Sequence, residues 1–258
     1  MKVKEIAALI EREAPRDLAY DWDNVGLLIG SGESEVKKIF ITLDVNLATA
    51  KEAAAAGCDM IVSHHPILFR GIKRIDYDTP CGEMLRILIE NKISVYAAHT
   101  NMDTAPGGIN FRLAEIFGLE DVKILEYHTD STDAGLGRYG RLKKALTADE
   151  LCQTIKEKLH TPSVRAAGDM NKEIKSLCVA SGSCSESIET AIAKGCDAVI
   201  TGDLRYHETM DFAEQGIFII DAGHYPTEIM VTDIFEEILS ESGVETVKSK
   251  NKDTFRFV

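Results

Sequence analysis

Residues 39–65 read IFITLDVNLATAKEAAAAGCDMIVSHH, and residues 176–203 read SLCVASGSCSESIETAIAKGCDAVITGD. Each stretch starts with an apolar strand pattern and passes through a polar turn into a helical pattern. Each then ends with Gly-Cys-Asp and a second apolar strand. Because the features occur in the same order, they indicate an internal repeat. Cys58 and Cys196 occupy matching positions, which predicts a structural role for both.

The similarity continues beyond these stretches. In the first half, a helical pattern over residues 83–90 precedes a strand pattern over residues 93–98. In the second half, the corresponding patterns cover residues 208–214 and 217–222. Alternating strands and helices favour parallel pairing with right-handed connections. We therefore predict an α/β fold with two pseudo-repeated βαβαβ halves, largely parallel or mixed sheets, and a metal site in the cleft between the halves.

The repeat also predicts the domain organisation. The first half is predicted to cover residues 1–125 and the second half residues 126–258, with the C-terminal helix packing back on the first half. The linker between the repeats contains Gly135, Gly137 and Gly140, which match the pattern GxGxxG. A dinucleotide-binding fingerprint must follow a strand and open a helix, whereas here a polar loop precedes the glycines. A turn is therefore the preferred interpretation, with a helix starting later at a Thr147–Glu150 capping box.

Composition excludes several classes of function. The 258 residues are 45% hydrophobic and 28% charged, which predicts an ordered core, and the formal net charge is −13. Such an acidic chain repels phosphate backbones, so nucleic acid binding is not expected. The apolar runs are too short to span a bilayer and no signal peptide is evident, which predicts a cytoplasmic protein. The six cysteines form no CxxC pair and are expected to be reduced and mostly buried.

Histidines and acids follow the predicted strands of the first half. His64 and His65 end one strand, and His99 and Asp103 follow another. The carboxyl ends of parallel strands lie on one edge of a sheet, where ligands bind. Imidazole and carboxylate groups are ligands that suit zinc, iron, manganese or nickel. The first half is therefore predicted to supply metal ligands.

The second half repeats the spacing of histidine and acid. His224 and Glu228 follow the strand that matches the one before His99 and Asp103, with the same separation of four residues. At the start of a helix, residues four apart lie close enough to share a site. Neighbouring side chains on a strand point to opposite sides, so His64 and His65 are predicted to serve two different ions. A carboxylate such as Glu228 has two oxygens and can bridge such a pair, whose ions lie about 3.5–4 Å apart.

Each histidine taken singly is better explained as a core or surface residue with ordinary hydrogen bonds. The set as a whole favours a site, because five of the seven histidines lie at or just after predicted strand ends: His64, His65, His99, His207 and His224. His207 is also explained by local bonds at a helix start. Arg138 and Arg205 are candidates for phosphate contacts, although solvated or ion-paired roles are favoured. Trp22 and Asn24 are candidates for contact with a base, although a turn before a buried strand is favoured.

The chain resembles the GTP cyclohydrolase 1 type 2 homologs, also called the Nif-three-like family, in the segments SHHPILF, AHTNMD, TGDLRYHE and DAGHYPTE. The segments DWDNVGLLIG and AGLGRYG are similar to the same family, so the resemblance covers nearly the whole chain. Longer members carry an inserted domain between the halves. This chain resembles the compact form that lacks the insertion.

The resemblance implies a dinuclear metal centre, two divalent ions per subunit and a homohexamer built from dimers. By similarity, His65 and Asp103 would hold one ion and His64 and His224 the other, with Glu228 bridging them. The repeat alone would make His99 a ligand equal to His224. The family pattern instead places His99 outside the ligand set, as a hydrogen-bonding or proton-transfer group.

The family name implies hydrolytic opening of the guanine imidazole ring of GTP, with loss of formate and formation of dihydroneopterin triphosphate. His99 and His207 are then the candidate catalytic residues, because imidazole titrates near neutral pH. The substrate is predicted to be a small molecule, GTP or another nucleotide. Two alternatives stay open: a two-metal phosphatase or phosphodiesterase acting on a different substrate, and an oligomeric metal-binding adaptor with little catalysis.

Overall fold

The computed structural model describes residues 1–128, 131–250 and 252–258. Its helices are α1 (Val3–Glu13), α2 (Leu47–Ala55), α3 (Pro80–Glu90), α4 (Thr100–Thr104), α5 (Ile109–Ile116), α6 (Ala148–Lys158), α7 (Ser187–Ala193), α8 (Tyr206–Ala213), α9 (His224–Glu228) and α10 (Val231–Leu239). Its strands are β1 (Gly26–Ile29), β2 (Lys38–Thr42), β3 (Met60–Ser63), β4 (Ser94–Ala97), β5 (Glu120–Tyr127), β6 (Gly135–Thr147), β7 (Arg165–Ala167), β8 (Glu173–Val179), β9 (Ala198–Thr201), β10 (Phe218–Asp221) and β11 (Glu245–Lys248). Short 3₁₀ helices cover Arg16–Leu18 and Ser240–Ser242. In the described residues, no helix combines the length and apolar character needed to cross a membrane.

The chain divides into two compact units. Unit 1 comprises Met1–Ala105 and Val231–Lys252, and unit 2 comprises Pro106–Met230 and Asp253–Val258. The boundary predicted after residue 125 falls inside β5, whereas this division groups α5 and β5 with unit 2. The reason is that β5 pairs along its length with β6. The helix α10 and the strand β11 belong to unit 1.

Unit 1 is built on a mixed five-stranded sheet with the order β1-β4-β3-β2-β11. The strands β4, β3, β2 and β11 run parallel, and β1 pairs antiparallel with β4 at one edge. The chain passes through β2, α2, β3, α3 and β4 in turn, as predicted. All four residues of β3 are buried, as expected for a central parallel strand covered on both faces.

Unit 2 contains a six-stranded sheet with the order β5-β6-β8-β9-β10-β7. Its three parallel strands, β8, β9 and β10, alternate with α7 and α8 and form the second βαβαβ unit. The antiparallel strands β5, β6 and β7 extend this core on both sides. The predicted α/β fold with two repeated halves is thereby confirmed.

The Gly-Cys-Asp sequence makes the same turn in both units. Gly57 and Gly195 end the helices α2 and α7 with φ angles of 67° and 74°, which only glycine adopts without cost. The next residue, Cys58 or Cys196, donates its N–H to the helix and packs into the core of its unit. Burial raises the pKa of the Cys58 thiol to about 11, so this cysteine is a packing residue, as predicted.

The aspartate of the same turn, which precedes one strand, accepts hydrogen bonds from the backbone of the neighbouring strand. Asp59 accepts hydrogen bonds from the backbone N–H groups of Lys37 and Lys38 at the start of β2. Asp197 accepts equivalent bonds from Lys175 and Ser176 in β8. The repeat is therefore a repeat of hydrogen-bond chemistry as well as of element order.

The glycine-rich linker is a strand rather than the predicted turn. Gly135, Gly137 and Gly140 lie inside β6. A Cβ atom at Gly135 would lie 2.2 Å from the carbonyl oxygen of Glu126, so the close approach of β5 requires glycine there. The Thr147–Glu150 capping box that starts α6 is confirmed. Residues 129 and 130 of the predicted linker lie outside the described residues.

Candidate metal-binding clusters

Two adjacent histidines follow β3 directly. Because β3 ends at Ser63, His64 and His65 lie in a bend, where the alternation of side chains along a strand no longer applies. Their ring centroids are 4.9 Å apart, so the two rings are neighbours rather than occupants of opposite faces. The expectation that the side chains of His64 and His65 point to opposite sides was therefore wrong for the rings. The groups that contact their Nδ1 atoms do follow different neighbouring strands.

The Nδ1 atoms of the two rings are held from opposite sides of β3. His64 is fully buried, and its Nδ1 lies 2.9 Å from the carbonyl oxygen of Ala98, which follows β4. The Nδ1 atom of His65 lies 2.7 Å from the carboxylate of Asp44, which follows β2. An Nδ1–H that donates to a fixed oxygen sets the tautomer and leaves Nε2 as the ligand atom.

A third imidazole completes what we call the imidazole cluster: His64, His65 and His99. The ring of His99 lies 5.1 Å from that of His64 and 5.5 Å from that of His65, between centroids. Each ring can offer one nitrogen such that the three nitrogens lie within 4.8 Å of one another. The cluster therefore has the donor chemistry and spacing of a metal site.

The carboxylate of Asp23 anchors His99. Its Oδ1 lies 2.9 Å from Nδ1 of His99, and its Oδ2 accepts hydrogen bonds from the N–H and hydroxyl of Thr100. Burial alone would raise the pKa of Asp23, but hydrogen bonds from His99 and Thr100, together with the charge of His99, lower it to about 2. Asp23 is thus a fixed anion that orients His99.

Asp103 lies on α4, one turn beyond His99. It is buried, and its Oδ2 is 3.8 Å from Nε2 of His64. Ligands at about 2.1 Å from one ion lie up to about 4 Å from each other, so this distance fits a shared ion. Within unit 1, the structure thus groups all three predicted ligands with His99.

Unit 2 contains a second group, which we call the His224–Glu228 pair. The Nδ1 atom of His224 lies 2.8 Å from Asp203, and Nε2 lies 2.9 Å from Oε2 of the buried Glu228. Both residues lie on α9, which includes Pro226 as its third residue rather than its first. The carboxylate–histidine contact at Nδ1 repeats that of His65 with Asp44.

Two glycines make room for this pair. Gly182 has a φ of 62°, and a Cβ atom there would lie 2.0 Å from Oε1 of Glu228 and 3.3 Å from Nε2 of His224. A Cβ atom at Gly202 would lie 2.7 Å from the backbone N of His224. In the repeat, Gly202 and Asp203 match His64 and His65. The second unit therefore has a glycine, which leaves space for His224, in place of one histidine, and a carboxylate that contacts His224 in place of the other.

Other candidates from the sequence lie apart from these groups. His207 is exposed on α8 and contacts Tyr206 with its ring; it belongs to none of the potential metal groups in the described part of the chain. Arg138 is buried and donates to the carbonyl oxygens of Gly135 and Gly137, so the expectation of a solvated or phosphate-binding side chain was wrong. Burial of Arg138 lowers the pKa of its guanidinium group to about 10.

Sequence reasoning missed the supporting carboxylates Asp44, Asp203 and Asp23. A signal for two of them was present, because Asp44 and Asp203 each directly or nearly follow an apolar strand pattern in the repeat. Asp23 lies 76 residues from His99, and its role depends on a contact that no local pattern reveals.

Comparison with known proteins gives consistent matches over the whole chain. A family model described as Duf34/NIF3 (NGG1p interacting factor 3) matches residues 1–254. A protein of Clostridium acetobutylicum named GTP cyclohydrolase 1 type 2 homolog is 38% identical, over 100% of this chain and 99% of its own length. One of the same name from Methanocaldococcus jannaschii is 36% identical, over 94% and 96%.

Solved structures show the same fold. The crystal structure of Staphylococcus aureus protein SA1388 matches with a TM-score of 0.90 and 28% identity, over 100% of this chain and 99% of that chain. The structure of reduced HcgD from Methanocaldococcus jannaschii matches with a TM-score of 0.84 and 34% identity, over 97% and 98%.

Proposed function

Because the chain belongs to the Duf34/NIF3 (NGG1p interacting factor 3) family, we propose that it is a hydrolase that uses divalent metal ions and acts on a nucleotide. The family resemblance inferred from the motifs is confirmed by these matches. The relatives' name, GTP cyclohydrolase 1 type 2 homolog, supplies GTP as the proposed substrate. The proposed reaction is opening of the guanine imidazole ring with release of formate.

The imidazole cluster is the observation that carries this proposal. Three histidines with anchored Nδ1 atoms can bring three nitrogens within 4.8 Å of one another. Core histidines with ordinary hydrogen bonds have no reason to gather at the ends of two neighbouring strands with their Nδ1 atoms all held. A site built to bind metal needs this arrangement, because supporting groups orient the ligands.

The donor set suits zinc, iron, manganese or nickel. The proposed ligands are His64, His65 and Asp103 in unit 1 and His224 and Glu228 in unit 2, for two divalent ions per chain. Such ions, when bound, act as Lewis acids and lower the pKa of water.

The remaining polar groups orient ligands and carry protons. Asp44 and Asp203 hold the Nδ1–H of His65 and His224, so that Nε2 of each keeps its lone pair. His99, oriented by Asp23, is the proposed proton carrier beside the cluster. His207 stays a candidate for the same role, and its position on α8 makes it the weaker one.

Metal binding is tested by the metal content of purified variants. We expect His65→Ala to lose metal relative to the wild type when both are loaded with Zn²⁺ or Mn²⁺ and then dialysed. His160→Asn is the matched control, because His160 is exposed, lies at a φ of 51° that asparagine tolerates, and belongs to neither group. Equal metal content in His65→Ala and the wild type would contradict the proposal.

The reaction is tested by incubating the metal-loaded protein with GTP and following formate release and pterin fluorescence. Turnover that disappears in His65→Ala and persists in His160→Asn supports the proposal. No turnover of GTP, but hydrolysis of phosphate esters or diesters, would support the alternative two-metal phosphatase. Retained metal without either reaction would support the adaptor. The homohexamer implied by the family resemblance is a further proposal, tested by light scattering.

A further inference from the structure

Three aromatic rings, which we call the aromatic cluster, lie beside the imidazole cluster: Tyr20, Trp22 and Phe69. The ring of Trp22 stacks on Tyr20 at 5.6 Å and meets the edge of Phe69 at 5.9 Å, between centroids. Trp22 and Phe69 each lie 6.3 Å from the ring of His99. Trp22 is nevertheless 60% exposed and Phe69 46% exposed. Grouped aromatic rings left in solvent indicate a binding surface.

The aromatic cluster is held rigidly by hydrogen bonds of its own loops. The side-chain amide of Asn24 donates to the carbonyl oxygen of Leu68 and so ties the loop of Trp22 to that of Phe69. Tyr20 and Asp23, on either side of Trp22, both bond to Thr100. Because these contacts fix the rings before any ligand arrives, binding loses less conformational entropy.

A short basic segment follows Phe69 directly. Arg70, Lys73 and Arg74 are exposed within five residues of a chain whose net charge is −13. Arg74 pairs with Asp76 at 3.7 Å, whereas the ion pairs found in the described residues do not include Arg70 or Lys73. An exposed aromatic surface next to local positive charge matches a ligand with an aromatic ring and an anionic tail.

We propose that the aromatic cluster is the base-binding subsite of a nucleoside phosphate, with the base stacked on Trp22 and in contact with Phe69, and the phosphates near Arg70 and Lys73. This inference rests on the proposed function, because it names how that substrate is held. His99 belongs to the imidazole cluster and contacts the aromatic cluster, so a base stacked here lies next to the imidazoles. Base stacking on aromatic side chains tolerates different bases, so the subsite is expected to accept adenosine as well as guanosine.

Trp22 is the only tryptophan of the chain, so its fluorescence reports directly on the subsite. We expect guanosine, adenosine and GTP to change the emission of the wild-type protein on excitation at wavelengths selective for tryptophan. Ribose 5-phosphate, which lacks a base, is expected to leave the emission unchanged at equal concentration. Unchanged emission with all three base-containing probes would overturn the proposal.

Variants separate stacking from charge. Phe69→Ala is expected to weaken guanosine binding about tenfold, because it removes an aromatic ring that contacts the base. Trp22→Ala, measured by equilibrium dialysis, is expected to weaken it at least as much. Tyr127→Ala is the control, because Tyr127 is similarly exposed but lies on β5. The double variant Arg70→Gln/Lys73→Gln is expected to weaken GTP binding and leave guanosine binding unchanged.

The two proposals fail in different ways. Base-dependent quenching without any formate release would preserve the subsite and remove the proposed reaction. Turnover of GTP with an unchanged KM in Trp22→Ala and Phe69→Ala would preserve the reaction and overturn the subsite.

Discussion

Replacement of Gly182 by alanine is expected to lower metal affinity strongly and the free energy of unfolding only slightly. Gly182 has a φ of 62°, where a Cβ atom costs an L-residue about 1–2 kcal/mol. The new Cβ atom would also lie 2.0 Å from Oε1 of Glu228, whereas ordinary contacts begin near 3.4 Å. The carboxylate must therefore move by more than about 1 Å, a displacement that disturbs the proposed metal ligand Glu228 far more than the fold.

The expected result is a fall in metal affinity of about ten- to hundredfold, the range for disturbed support of a ligand. The expected loss in free energy of unfolding is only about 1–2 kcal/mol, because the displaced atom is the end of a flexible side chain. Metal affinity is measured by titration calorimetry with Zn²⁺ or Mn²⁺. Stability is measured by urea unfolding in EDTA.

Gly195→Ala is the matched control. Gly195 lies in the same unit with a φ of 74°, and a Cβ atom there would meet no atom within 4 Å. This variant should lose a similar amount of stability and keep its metal affinity. Wild-type affinity in Gly182→Ala, or equal loss of affinity in both variants, would refute the reasoning.

Three further predictions concern the anchors, the repeated turn and the metal. Asp44→Ala should lower metal affinity about ten- to hundredfold by releasing Nδ1 of His65. Asp21→Ala is the control in the same titration and should keep its affinity, because Asp21 is exposed and belongs to none of the potential metal groups among the described residues. Asp197→Ala should cost about 1–3 kcal/mol in urea unfolding at pH 7, because backbone N–H groups of β8 lose their acceptor. Burial would raise the pKa of Asp197, but hydrogen bonds from Lys175 and Ser176 lower it. The contribution of Asp197 to the free energy of unfolding is therefore complete above the unfolded pKa of about 4, and it is lost as the pH falls through the folded pKa. The free energies of unfolding of wild type and variant should thus converge in acid. A constant difference between them down to about pH 2 would contradict this prediction. Metal at a hundred times its Kd should stabilise the wild type by about 2.7 kcal/mol in thermal unfolding, EDTA should reverse the effect, and an equal gain in His65→Ala would argue against this ligand.

The repeated core could be predicted because its determinants are local. Helix and strand periodicity, a glycine in the left-handed region and an aspartate that accepts hydrogen bonds from backbone N–H groups of the preceding strand all lie within a few residues of Cys58 and of Cys196. The sequence pattern therefore predicted both βαβαβ units, and it predicted that one sheet edge groups four residues: His64, His65, His99 and Asp103.

The rest depended on contacts between distant residues. Gly135 looks like a turn residue, yet it is required because β5 approaches it across the strand pair. The supporting role of Asp23 follows from a bond to His99 that spans 76 residues. The rings of His64 and His65 lie together because β3 ends at Ser63, two residues before the predicted strand end at His65.

The strand β11 has a consequence for how the chain folds during synthesis. It completes the sheet of unit 1 by pairing with β2, although more than two hundred residues separate the two strands. Until β11 leaves the ribosome, the N–H and C=O groups on one side of β2 are unpaired and can bond to a strand of another chain. We therefore expect the nascent first unit to be a client of chaperones, while unit 2, continuous from Pro106 to Met230 apart from a short C-terminal segment, acquires its sheet first.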